Sequence, residues 1–338
     1  MSAAETLLAR LNEEPENQAI FWRGQSLTYR EFVALIDAWD TRLDADQIGF
    51  GDVCAFYGDF SPGTCSLMFA LMRRGAISAP FTGDVDVELP GLLEMAGAKI
   101  LYRFAADDAV SVETQKKYAT PQLIADFKKR GHPGLLVFTS GSTGKPKGIL
   151  QDVEFVSRKF VKKRKGWRTP LFLLMDHFGG FNTFLSTFAY GGTAVCLTGR
   201  DPETVARIIQ ESQANLLPTT PTFLNFLIMS NQYAVYDLSS IQLITYGTEP
   251  MPEATLHKVE EIFPNARLKQ TYGLSELGVL RSESKEAGSL WLKVGGEGFE
   301  TKVVDGILWI RSEANMVGYL NAPNPFDEDG WMCTGGCR

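Results

Sequence analysis

Apolar positions along the first hundred residues alternate between two periods. Thr28-x-x-Glu31 is a capping box, and Phe32, Leu35, Ile36 and Trp39 behind it fall at helical spacing. Val53–Tyr57, after Gly49-Phe50-Gly51-Asp52, is a short apolar run that predicts a strand. Ser61-Pro62 then opens a helix carrying Leu67, Met68, Leu71 and Met72, which Gly75 stops, and 76–81 reads as the next strand. A helix over Leu89–Ala96 and a strand over Ile100–Phe104 repeat the rhythm, while 107–133 turns polar and reads as a loop and helix. Strand, helix, strand in this order predicts a parallel sheet covered by helices.

A second α/β stretch follows. It has strands at 171–175, 193–197, 215–218, 241–246 and 268–272, a helix over 181–188, and a helix opened by Asp201-Pro202-Glu203. The cationic run Arg158, Lys159, Lys162, Lys163, Arg164 and Lys165 within 155–165 reads as one solvated helix face. From Ser289 the pattern shortens to strands at 290–294, 300–304 and 307–310, with Asp305-Gly306 as a hairpin signal, so this part is expected to be a small antiparallel unit.

Composition narrows the class. The chain has 338 residues, 44% hydrophobic and 22% charged, as in an ordinary globular protein. No apolar run approaches a membrane span and the N-terminus has no signal-peptide pattern, so the expected location is the cytoplasm. A net charge of −7 argues against nucleic acid as the partner. Cys54, Cys65, Cys196, Cys333 and Cys337 form no C-x-x-C pair and are odd in number, so neither a disulfide framework nor a structural zinc site is expected.

The candidate chemistry begins behind the apolar run 135–138. Thr139-Ser140-Gly141-Ser142-Thr143-Gly144-Lys145-Pro146-Lys147-Gly148 combines glycines that let backbone N–H groups approach an anion with hydroxyl donors and two lysines. On an acidic protein this is a phosphate cradle. It is not the G-x-x-x-x-G-K-[ST] loop of nucleotide hydrolases, because Pro146 follows Lys145. A serine hydrolase would need G-x-S-x-G, which is absent, and Gly295-Gly296-x-Gly298 falls in a hairpin region instead of opening a helix.

Three further stretches follow in order: Thr245 to Pro250, Gln270 to Glu276, and Gly318-Tyr319-Leu320 with 330–335. With the lysine loop they resemble the core motifs of the acyl-adenylate-forming superfamily, which includes acyl-CoA synthetases, aryl-acid ligases and adenylation domains. The resemblance implies that Thr139, Ser140, Gly141, Ser142, Thr143, Gly144, Lys145 and Lys147 close over ATP phosphates. It places Thr248, Glu249 and Pro250 beside the adenine, Tyr272 stacked on it between Thr271 and Gly273, Ser275 at the α-phosphate, and Glu276 on Mg²⁺. His177 matches the position near the acyl carboxylate, so Lys147, His177, Ser275 and Glu276 are the expected catalytic set.

An aromatic face beside a glycine suits a flat base, and a hydroxyl with a carboxylate suits a phosphate-bound Mg²⁺. The acid is expected to be lined by residues within 177–183, 219–223, 246–248 and 275–278, chiefly His177, Phe178, Gly180, Phe181, Thr222, Phe223, Tyr246, Gly247, Leu277 and Gly278. The phenylalanines and glycines favour a fatty or aryl acid. Asp176 precedes His177 on what reads as a strand, so the two are expected on opposite faces.

The activity so implied is ligation of a carboxylic acid through acyl-AMP, with pyrophosphate released. The acyl group would pass to CoA or to the phosphopantetheine thiol of an acyl or peptidyl carrier protein. Two departures stand against the resemblance. Thr334-Gly335-Gly336 has glycine where the family has the ribose-binding aspartate, and the chain ends at Arg338, before the smaller C-terminal domain expected beyond a hinge. They favour slow adenylation, or alternatively a non-catalytic nucleotide- or acyl-binding scaffold. The expected architecture is α/β, with two sheet-and-helix subdomains (1–134 and 135–284) in a layered αβαβα arrangement and a small antiparallel β-barrel-like unit (285–338).

Overall fold

A computed structural model describes residues 1–83, 85–139, 146–280, 282–284, 292–296 and 298–337. Its largest sheet has seven strands in the order Gly318–Tyr319, Lys147–Asp152, Gly134–Thr139, Ile77–Phe81, Val53–Tyr57, Ile100–Phe104 and Val110–Thr114. The four strands from Gly134–Thr139 to Ile100–Phe104 run parallel, and antiparallel strands flank them at both sides. Successive residues of Val53–Tyr57 face opposite ways: Cys54 and Phe56 enter one core, Val53 and Ala55 the other. Both faces of the sheet are therefore apolar and covered, as a parallel sheet requires.

On the Phe56 side an aromatic cluster joins three helices, Tyr29–Ala45, Pro62–Arg74 and Phe178–Ala189. Phe69 lies 4.8 Å from Phe184 and Phe32 lies 4.9 Å from Phe188, measured between ring centroids. The caps form where the sequence places them. Thr28 and Glu31 make the reciprocal box, Ser61 caps the next helix, Gly75 ends it at φ 68°, and Asp201 caps Pro202–Ser212.

A four-stranded sheet, Gln25–Thr28, Gln18–Trp22, Thr193–Cys196 and Arg168–Pro170, carries this core toward a three-stranded parallel sheet, Leu216–Thr219, Leu243–Tyr246 and Arg267–Gln270. The C-terminal part is antiparallel, with Phe299–Val304, Ile307–Ser312 and Met332–Cys337 in one sheet. Asp305 and Gly306 both take left-handed φ, 52° and 78°, as the hairpin signal requires. Strands on both sides of the 134/135 boundary share the seven-stranded sheet. No described helix is long and apolar enough to cross a membrane.

Three local expectations are corrected. The strand read at 171–175 is Arg168–Pro170 instead, and the apolar residues after it run irregularly to His177. The helix read at 155–165 is only Val153–Arg158, and 161–165 are exposed and non-helical. Val110–Thr114, read as loop, is an edge strand whose polar composition reflects its exposure.

Candidate functional site

The three parallel strands of the smaller sheet end together. Just beyond their carboxyl ends lie Thr220, Gly247 with Thr248, and Thr271 with Tyr272, which line one wall of a cavity of about 510 Å³. Ligands of open α/β sheets bind at such ends, and the volume suits a small organic molecule. Across the cavity stand 172–174, His177, Phe178, Gly179, Asn182 and Thr183, and the hairpin residues Gly273, Leu274, Ser275 and Val279 close it.

Backbone packing makes two of the glycines necessary. A Cβ at Gly247 would meet the Thr271 carbonyl oxygen at 2.6 Å, and one at Gly273 would meet the Gly278 carbonyl oxygen at 2.8 Å. Thr248 takes a left-handed φ of 73°, a conformation a threonine seldom adopts and one associated with functional loops.

Of the expected residues, the cavity brings together His177, Phe178, Gly247, Thr248, Thr271, Tyr272, Gly273 and Ser275. Others lie behind its walls. Helical periodicity turns residues 178, 179, 182 and 183 to the cavity and sends Phe181 into the aromatic core, where it is 4% exposed. Phe223 is equally buried and packs its ring 4.5 Å from Phe172. Tyr246 and Leu277 are buried in neighbouring clusters, Gly180 packs on the backbone of 173–174, and Gly278 lies behind Phe178.

The Thr222 N–H donates to Glu249 Oε1 at 2.7 Å, so Glu249 serves the first turn of Pro221–Ser230; Pro250 is exposed. Ser140, Gly141, Ser142, Thr143, Gly144 and Lys145 lie outside the described residues. Thr139 and Lys147, on either side of them, are directly opposed partners of two antiparallel strands.

Sequence reasoning missed Phe172, Leu173, Leu174, Arg200, Pro218, Thr245, Leu274 and Val279 as lining residues. Pro218 ends a predicted strand and Thr245 is the last residue but one of another, and the strand-end rule alone could have found them. Arg200 carried no local signal. It is held by Asp59 and by the Phe172 carbonyl oxygen at 2.6 Å.

His177 and Asp176 do not diverge. Residues 171–177 are not a strand, and His177 Nδ1 lies 2.7 Å from Asp176 Oδ1. The other Asp176 oxygen accepts from the Thr82 N–H at 3.1 Å and hydroxyl at 2.7 Å. The hydrogen bond between His177 and Asp176 raises the His177 pKa above its ordinary value against the opposing effect of burial. Burial works to raise the Asp176 pKa, but the bonds from His177 and Thr82 outweigh it and hold the carboxyl below its ordinary range.

Glu276 sits at the turn between Tyr272–Leu274 and Gly278–Leu280, and its Oε1 accepts the Tyr319 hydroxyl at 2.6 Å. Burial, then the adjacent carboxylate, pushes the Tyr319 pKa upward, so its phenol stays protonated and is the donor. Lys147 Nζ lies 5.0 Å from the centroid of the same ring. Gln151, fully buried, donates to the Ser275 carbonyl oxygen. The cavity thus has the His177 imidazole and, at the hairpin, the Ser275 hydroxyl, while Glu276 is outside its lining and is bonded to Tyr319. A strand-end wall of small polar residues lines the other side.

A profile of the AMP-binding enzyme family matches residues 7–320. The chain belongs to that family. Acyl-CoA synthetase 7 of Caenorhabditis elegans is 30% identical over 233 residues, which are 59% of this chain and 43% of the nematode protein. A medium/long-chain fatty acid acyl-carrier-protein ligase of Mycobacterium tuberculosis is 26% identical over 98% of this chain and 73% of its own length. This chain thus spans less than half of the first relative and about three quarters of the second.

Among solved structures, the N-terminal domain of FACL13 from M. tuberculosis superposes with a TM-score of 0.76 at 20% identity, covering 99% of this chain and 95% of that one. An anthranilate CoA ligase bound to anthranoyl-AMP superposes at 0.82 with 18% identity, over 99% and 74%. At these identities the two structures speak for the fold.

Proposed function

We propose that this chain binds ATP and a carboxylic acid and joins them. A carboxylate oxygen attacks the α-phosphorus, the bond to the bridging oxygen of pyrophosphate breaks, and acyl-AMP and pyrophosphate result. The acyl group then passes to the thiol of CoA or of a carrier-protein phosphopantetheine. The observation that carries this reading is the convergence of His177, Tyr272 and Ser275 on one cavity at the ends of parallel strands. Family membership and the carrier-protein and CoA ligases among the relatives support it.

The step needs in-line positioning and positive charge on the departing pyrophosphate more than covalent help. Tyr272 would stack on the adenine beside Thr248, and Ser275 would donate to the α-phosphate. His177, its pKa raised by the hydrogen bond to Asp176, would stand by the acyl carboxylate and the α-phosphate. Lys147 and the loop before it would hold the β- and γ-phosphates. The residues fit Mg²⁺, since Glu276 is a hard oxygen donor with one oxygen fixed by Tyr319. Bound there, the ion would offset phosphate charge. The acid end is apolar, with Phe172, Leu173, Leu174 and Phe178, which favours a fatty or aryl acid.

The test is ATP–pyrophosphate exchange with a panel of aliphatic, aryl and amino acids, beside thermal shifts with acyl-sulfamoyl adenosines. The expected result is exchange and stabilisation with aliphatic or aryl members; no exchange and no shift with any member refutes the proposal. Gly336, in place of a ribose-binding aspartate, favours a second reading, a non-catalytic nucleotide- or acyl-binding protein. That reading predicts thermal shifts without exchange.

A further inference from the structure

The segment 316–321 stitches together the two groups assigned to the phosphates. The Met316 N–H donates to the Glu276 carbonyl oxygen at 2.8 Å, and the Val317 N–H to the Leu150 carbonyl oxygen at 2.8 Å. Further along, the Leu320 N–H donates to the Gly148 carbonyl oxygen at 2.8 Å. Asn321 then takes the Gly148 N–H on its Oδ1 at 3.1 Å and donates its Nδ2 to the Pro146 carbonyl oxygen at 2.8 Å. One short piece of chain therefore holds both the exit of the lysine loop and the hairpin turn that carries Glu276. In its middle is Tyr319, half-buried, with its hydroxyl on Glu276 and its ring face under the Lys147 ammonium.

We propose that Tyr319 is a positioning residue that sets Glu276 and Lys147 for the phosphates through two separable contacts, hydroxyl to carboxylate and ring face to ammonium. This rests on the adenylation reading above. The hydroxyl fixes one carboxylate oxygen and thereby orients the other for a cation. The ring holds the lysine by its face, a contact that does not use up the ammonium's three N–H donors and so leaves it able to bind phosphate. Neither group needs to be ordered when substrate arrives, which is what a positioning residue contributes.

Tyr319→Phe deletes the first contact and keeps the second; Tyr319→Leu deletes both. Tested in the whole chain, Tyr319→Phe is expected to raise the Mg²⁺ concentration for half-maximal ATP–pyrophosphate exchange by about tenfold, the scale of a lost hydrogen bond to a charged group. ATP binding measured calorimetrically without divalent cation should stay at the wild-type value. Tyr319→Leu should show the same Mg²⁺ shift and in addition weaken cation-free ATP binding by about threefold, the scale of an exposed cation–π contact. In a Glu276→Gln background Tyr319→Phe should add nothing to the Mg²⁺ dependence.

A Tyr319→Phe protein with wild-type Mg²⁺ dependence overturns the inference, as does equal loss of cation-free binding in the two variants. Should Tyr319→Leu fail to fold, Tyr319→Phe with the Glu276→Gln cycle decides alone. A wild-type chain that neither binds ATP nor exchanges pyrophosphate refutes the adenylation reading and this inference with it. An active wild type with an unaltered phenylalanine variant refutes only the inference.

Discussion

Replacing Gly180 with alanine should destabilise the fold although it improves helix propensity. Gly180 lies in the first turn of Phe178–Ala189, directly after His177, where alanine is intrinsically favoured by up to about 1 kcal/mol. Its backbone, however, packs against the irregular segment that delivers the chain to His177. A Cβ there would overlap the Leu174 carbonyl oxygen and lie 2.6 Å from the Leu174 carbonyl carbon and 2.7 Å from the Leu173 carbonyl oxygen. Real Cβ contacts are essentially never that short, and these neighbours are backbone, so helix or segment must move. Against backbone this close, overpacking should cost about 3 kcal/mol, the upper end of its range, so after a propensity gain of about 1 kcal/mol the net loss should be about 2 kcal/mol. At roughly 2.1 cal/mol/K per residue that lowers the melting temperature by about 3 °C in a chain of this length. Gly179→Ala is the control, because its Cβ would meet only the end of the Leu173 side chain, at 3.2 Å, and face the cavity. Scanning calorimetry of the two variants, with ATP–pyrophosphate exchange beside it, checks the reasoning. A Gly180→Ala protein that melts at or above wild type, with exchange intact, would refute it.

The Asp176–His177 pair should make stability pH-dependent with a definite sign. The pKa of His177 is raised above 6.5, so its contribution is full below pH 6.5 and is lost as pH rises through the higher folded value. The pKa of Asp176 is lowered below 3.8, so its contribution is full above 3.8 and is lost as pH falls through the lower folded value. The difference in denaturation midpoint between wild type and Asp176→Asn should therefore be largest between about pH 4 and 6.5, and a pH-independent difference counts against the pair. Phe184→Ala, which empties the centre of the aromatic cluster, should cost about 3–5 kcal/mol in urea unfolding. Thr28→Ala removes one half of a reciprocal cap and should cost about 1 kcal/mol while leaving ATP binding unchanged by calorimetry.

What the sequence discloses follows from the range of the physics involved. Caps, stops and buried strands depend on residues within a turn or two, so Thr28, Ser61, Gly75, Asp201 and Asp305-Gly306 can be read directly. The edge strand Val110–Thr114 was missed because its side chains are mostly exposed and its apolar alternation is only Val110 and Val112, too short to stand out in a polar stretch. The lysine run was read as helix to 165 because charge spacing says nothing of where packing ends; Phe160 is the last buried residue of that stretch, and 161–165 are exposed. The acid lining was legible in its segments but not in its faces. Choosing between Phe181 and Asn182 needs the rotation of the helix about its axis, and that is set by the Phe60 and Phe69 rings packed against Phe184.

The segment 171–177 shows how one misread element changes the chemistry drawn from it. Read as a strand, it sends Asp176 and His177 to opposite faces and leaves the histidine with its ordinary affinity for a proton. In the structure the strand ends at Pro170, and the chain turns so that the Leu174 carbonyl oxygen accepts the His177 N–H at 3.2 Å. That turn brings both side chains to one side, where Thr82 at the end of Ile77–Phe81 anchors the carboxylate. The apolar run that looked like a strand is apolar because Leu171, Phe172 and Met175 are buried on irregular backbone, and Leu173 and Leu174 line the cavity. Hydrophobicity reported burial correctly and conformation incorrectly. The raised proton affinity of His177, which bears on its proposed place beside an acyl carboxylate, follows from the conformation.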